Sequence, residues 1–157
     1  MLTALRIVHV LSACVWVGGT VALVLVGVPA IRRLEGEARA TAMRALGRRW
    51  RPLGWSAMGV AIVSGLWLTE RHGGLDRAAL ETDFDRVLIV KSVLVVLLCI
   101  GAAVHDYVLG PRLQRELREG APQAPATRRR LVVVGWANFS LTIAVPVLGA
   151  VVLTYLD

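Results

Sequence analysis

The sequence predicts an all-α fold: an integral membrane four-helix bundle built from two helical hairpins. Three observations carry that expectation. Hydrophobic residues make up 56% of the 157-residue chain, and its mean hydropathy is +0.64. The apolar residues gather into four stretches, and a helix needs about 20 such residues to cross a bilayer. Ile7–Arg33 and Ile89–Arg115, 82 residues apart, align Ile7 with Ile89, Val8 with Val90, Gly19 with Gly101, Val26 with Val108, Pro29 with Pro111 and Arg33 with Arg115. Short alternating segments of a barrel are absent, so helices are the structure that satisfies this backbone in lipid.

The first span is expected over Leu2–Ile31. Arg6 gives it a short basic start, and its length and trailing arginines mark a retained span rather than a cleaved leader. Glu35–Arg51 has helical composition and either continues the first helix or lies along the membrane surface. The second span is expected over Pro52–Thr69, the third over Val87–Leu109 and the fourth over Leu131–Leu156. Pro29 and Pro111 stand near the ends of the first and third spans, where proline kinks or terminates a helix. Pro146 falls mid-span in the fourth. Gly120–Thr127 reads as a turn region. Gly18, Gly19, Gly101, Gly135 and Gly149 suit close helix packing. The whole chain, 1–157, reads as one domain.

Charge orients the spans. Ile31–Arg51 holds seven arginines against Glu35 and Glu37, and Asp106–Arg130 holds six against three acids. Glu70–Arg86 has five acids and three arginines. The positive-inside rule places the first and third loops in the cytoplasm and both termini outside. This implies the inner, or cytoplasmic, membrane. The net charge of +7 is then topology and lipid-headgroup contact, with no nucleic-acid partner, because the basic loops lack interleaved aromatics. Cys14 and Cys99 both fall within spans and read as packing residues, not as a disulfide or a metal framework.

Polar residues inside the spans are the site candidates, because ionisable groups are costly in a bilayer. His9, Ser12, Ala13, Trp16 and Thr20 recur every three or four residues and share one stripe. Lys91, Leu94, Val95, Leu98, Ala102 and His105 form a comparable stripe on the third span. His9 and Lys91 hold matched positions in the aligned segments, in the outer half of their helices. His9 reads as an axial or metal ligand, or as a histidine hydrogen-bonded to a neighbouring helix. Lys91 reads as a second ligand, a proton donor or a partner for a carboxylate, or as a side chain snorkelling to the headgroups. His105 lies 14 residues beyond Lys91, about 21 Å of helix rise, so one planar cofactor does not take both. His105–Asp106 is expected to cap the inner helix end. His72 reads as a solvated loop residue, and Asn138 as a tie between helices.

The segments "RIVHVLSACVWVGGT…VPAIRR", "RPLGWSAMGVAIVSGLW", "VLIVKSVLVVLLCIGAAVHDYVLGPR" and "RRRLVVVGWANFSLTIAVPVLGAVV" resemble the copper-resistance protein D (CopD-like) membrane domain over nearly the whole chain. The most specific pieces are a histidine followed seven residues later by Trp-x-Gly-Gly, and a third-span lysine with His-Asp-x-x-x-Gly-Pro. The wider group is similar to HemJ-type protoporphyrinogen oxidases. That resemblance implies His9 as a haem b ligand and Lys91 as a second essential, catalytic residue. The "HDYVLGP" segment fits the CopD-like side better.

Three functions follow as expectations. The first is a haem b-binding membrane protein with a redox or electron-transfer role, His9 being the axial ligand. Arg6, Arg86 and Lys91 would meet the propionates and Trp16 would line the site. Such a protein would be a membrane oxidoreductase if it acts as an enzyme. The second is copper transport or resistance, although only Met1, Met43 and Met58 offer thioethers, which suit Cu(I). The third is a non-catalytic subunit of a larger membrane complex. A homodimer would add volume for a porphyrin.

Overall fold

The computed structural model describes residues 2–71 and 83–153, with side chains placed for 2–71 and 85–151. The described residues are all-helical, without a strand. They form two compact units, Met1–Glu81 and Thr82–Asp157. Four helical runs are long and apolar enough to cross a membrane: Leu2–Arg32, Gly36–Arg71, Asp85–Arg118 and Ala124–Val151. His72 and most of the acidic middle loop lie outside the described residues.

In the first hairpin, α1 (Leu2–Ala22) passes through a π-helical segment (Leu23–Gly27) into the short α2 (Val28–Arg32). The chain then turns and returns as α3 (Gly36–Arg71), which packs along α1. The second hairpin repeats this plan. Its α4 (Asp83–Ala103) continues through a π segment (Val104–Leu109) into α5 (Gly110–Arg118), and α6 (Ala124–Leu153) returns along α4.

The prolines account for the π segments. A proline inside a helix lacks an N–H, and its ring meets the carbonyl four residues earlier. For Pro29 and Pro111 those carbonyls belong to Leu25 and Tyr107, each inside a π segment. Widening the turn moves that carbonyl away and lets the helix go on. The wide-turn bonds occupy the same register: Val28 N–H donates to Leu23 O and Gly110 N–H to His105 O, again 82 residues apart.

Several boundaries differ from the sequence expectation. The arginine-rich segment before Pro52 neither extends the first helix nor forms a separate surface helix. It is the opening of α3, which begins at Gly36 and carries Pro52 inside it. The turn expected over Gly120–Thr127 is shorter, because α6 starts at Ala124. Gly120 has φ of 64°, and Ala121 N–H donates to Glu116 O at 2.9 Å, a glycine-ended helix stop. Pro111 does not terminate its helix, and His105–Asp106 does not cap one: the chain stays helical through the second π segment and α5 to Arg118. Pro146 lies inside α6.

Burial follows the small residues. No residue of α1 is fully buried, whereas Leu98 on α4 is 2% exposed. The returning helices bury Ala57, Met58 and Ser64 in the first hairpin and Thr142 and Val145 in the second. Many large apolar side chains, such as Leu11, Val63, Val96 and Val133, stay exposed. They suit lipid, where apolar surface carries no penalty.

Candidate functional site

The polar stripe of α1 faces α3. His9, Ser12, Ala13, Trp16 and Thr20 are all half-buried, while Val8, Val10, Leu11, Cys14 and Val15 between them are exposed. Hydroxyls on the stripe return to their own helix. Ser12 donates to Val8 O at 2.8 Å, and Thr20 donates to Trp16 O at 2.8 Å. Such bonds satisfy a hydroxyl without a partner helix.

His9 instead reaches across the hairpin. Its Nδ1 lies 2.8 Å from Ala61 O and 3.1 Å from Ser64 Oγ. A carbonyl accepts only, so the Nδ1–H donates to Ala61. Ser64 itself donates to Val60 O at 2.6 Å. A backbone carbonyl on Nδ1 sets the tautomer and the ring plane, as it does for metal-ligating histidines. The ring lies over Gly65: a Cβ there would stand 3.0 Å from Cε1 and 3.4 Å from Nδ1. Ala61, Ser64 and Gly65 were not singled out from the sequence. A count back from the hairpin turn through an antiparallel pair would have brought them opposite His9, where Ser64 interrupts the apolar stretch after Ser56.

Lys91 belongs to the second hairpin, half-buried on α4. A Cβ at Gly149 on α6 would stand 3.4 Å from Nζ and 3.8 Å from Cε. The ammonium end thus lies against the returning helix. Further along the same seam Gly101 receives the Asn138 side chain, and His105 Nε2 comes within 3.5 Å of a Cβ at Gly135. Asn138 thus packs against Gly101 across the seam between α4 and α6. His105 Nδ1 is 3.0 Å from Asp106 Oδ1.

The other candidates lie elsewhere. Trp16 shares the inner stripe with His9, whereas Arg6 and Arg86 are exposed near the starts of α1 and α4. Cys14 and Cys99 form no disulfide, and Cys14 is exposed rather than packed inside the hairpin. Among the described residues no group of three His, Cys, Asp or Glu side chains gathers to hold a metal ion. The oriented imidazole of His9 is therefore the best-defined candidate donor among the described residues.

No curated protein and no solved structure matches the chain significantly. The family described as copper resistance protein D matches residues 44–153, from the first half of α3 to the end of α6. With four candidate membrane spans and a family match over most of its length, the chain belongs to the copper resistance protein D family.

Proposed function

We propose that the protein is a multi-pass membrane protein of copper handling, with copper as its cargo and His9 as a ligand on the way. Family membership supports the copper reading, and His9, outside the matched residues 44–153, enters it through its geometry. Imidazole and thioether donors suit copper, and the buried Met58 lies on the same side of α3 as Ala61 and Ser64, the side that meets His9. With no three-donor group among the described residues, the protein would pass the ion on rather than store it. The basic segments would face the cytoplasm and both termini the outer side of the inner membrane.

A second reading, haem b binding, has its own support in the His9 geometry. A lone imidazole fixed through Nδ1 by the Ala61 carbonyl suits one axial iron ligand better than a multi-donor copper centre. Here His9 would hold the iron, Trp16 would line the site and Arg6 would face the propionates, all on the first hairpin, while Lys91 would be the second essential group as in HemJ-type proteins. The group would supply one-electron chemistry, making the protein a membrane redox protein or oxidoreductase. A homodimer or a larger membrane complex would add volume for the group.

Oxidised and dithionite-reduced absorption spectra of the detergent-purified protein, with metal analysis on the same sample, separate the two readings. Copper in a colourless protein, lost in His9→Ala, supports copper handling. A Soret band with sharp reduced bands, lost in His9→Ala and kept in His105→Ala, supports haem. A colourless protein with neither metal after growth in ample copper and haem overturns both and leaves a role as a non-catalytic subunit.

A further inference from the structure

Five features recur between the hairpins in one order. A polar side chain stands early in the first helix, His9 or Lys91, and lies over a glycine of the returning helix, Gly65 or Gly149. About three turns on, Gly19 or Gly101 receives a large side chain from that helix, Trp50 or Asn138. A π segment follows, closed by the Val28-to-Leu23 or the Gly110-to-His105 hydrogen bond. A proline comes next, Pro29 or Pro111, and then a basic helix end. On the first helices His9 and Lys91, Gly19 and Gly101, the π-closing hydrogen bonds, and Pro29 and Pro111 are each offset by 82 residues. On the returning helices the offsets differ, 84 for Gly65 and Gly149 and 88 for Trp50 and Asn138, with α6 starting 88 residues after α3.

We propose that the hairpins are copies of one unit, and that Gly65 and Gly149 are counterpart positioning residues that seat His9 and Lys91. The proposal rests on the reading of His9 as a ligand only for its functional consequence. At Gly65 glycine removes an atom that would crowd the ring, and so lets the imidazole approach close enough for Nδ1 to reach the Ala61 carbonyl. At Gly149 the amine lies at ordinary contact distance from where a Cβ would stand, so bulk beyond Cβ is what would push the lysine out toward the headgroups. The seats differ in tightness. A methyl would press on the imidazole at Gly65 but only touch the amine at Gly149, so the lysine seat needs a larger intruder.

The test is a set of glycine-to-valine variants of the full chain in detergent, read by 15N NMR of the histidine ring and lysine amine nitrogens. Gly65→Val is expected to move the His9 ring signals and leave Lys91 Nζ unchanged, with Gly65→Ala as a smaller step in the same direction. Gly149→Val is expected to do the reverse. Gly18→Val and Gly59→Val are the controls, since a Cβ at either position meets nothing within 4 Å. In whichever ligand reading holds, Gly65→Val should weaken loading by about 10–100-fold, the usual cost of losing an orienting partner of a ligand. Unmoved His9 signals in both Gly65 variants, or equal movement in Gly59→Val, overturn the His9 seat. An unmoved Lys91 signal in Gly149→Val overturns its counterpart. Wild-type protein that binds neither copper nor haem sinks the ligand reading alone, because the resonances still decide the seats.

Discussion

The first hairpin holds its polar residue by a hydrogen bond and the second by packing. His9 donates to the Ala61 carbonyl at 2.8 Å beside Ser64, whereas Lys91 lies against the bare backbone of Gly149. Their interiors also differ: α1 buries no residue completely, while α4 seals its seam with Leu98 opposite a helix that buries Thr142 and Val145. The same proline-driven π segment is apolar in the first hairpin and carries His105–Asp106 in the second. One architecture thus supports two kinds of polar residue. The frame is set by prolines, glycines and helix register, and the chemistry by what stands on it. Ionisable groups that the frame does not require are the ones to test for function.

The largest expected effect is loss of the ligand. His9→Ala should abolish copper or haem loading, measured by metal analysis and absorption, while His105→Ala leaves it intact. Equal loss in both variants would break the assignment of the ligand to the first hairpin.

Core truncation should separate the hairpins next. Leu98→Ala should cost about 2–4 kcal/mol in reversible unfolding, since a fully packed leucine leaves a cavity. Val8→Ala, on an exposed face of α1, should change stability by less than about 0.5 kcal/mol. A similar loss at both positions would mean that α1 is sealed by contacts other than those with α3.

The close approaches of glycine come third. A methyl at Gly19 would overlap the Trp50 ring, so Gly19→Ala should destabilise by about 1–3 kcal/mol, the usual cost of overpacking. The adjacent Gly18→Ala meets open space and should be neutral or stabilise by up to about 1 kcal/mol through helix propensity. Thermal unfolding of the pair tests the contrast within one helix turn.

The smallest effect is expected at Ser64. Side-chain hydrogen bonds inside membrane proteins average about 0.6 kcal/mol, and Ser64 also satisfies itself on the Val60 carbonyl. Ser64→Ala should therefore lower stability by about that amount and leave loading within about threefold, because the Ala61 carbonyl still orients Nδ1. A larger loss would make the hydroxyl the principal orienting partner of His9.

The sequence by itself determined the four apolar spans, the all-helical class, the inward stripes of α1 and α4, and the matched sequence positions of His9 and Lys91. These are readable because hydropathy and a 3.6-residue period are local properties. The length of α3 was not readable in the same way, since Pro52 and the arginines before it look like a boundary until the helix is seen to absorb them. The same holds for His105–Asp106: a proline six residues on suggested a helix end, and the π segment removed it. Only the tertiary structure decided that His9 meets Ala61, Ser64 and Gly65, and that Lys91 meets Gly149. These partners lie more than fifty residues away along the chain. Their pairing depends on the register of two antiparallel helices, which the turn and the close approaches at glycine set together and which no single helix encodes.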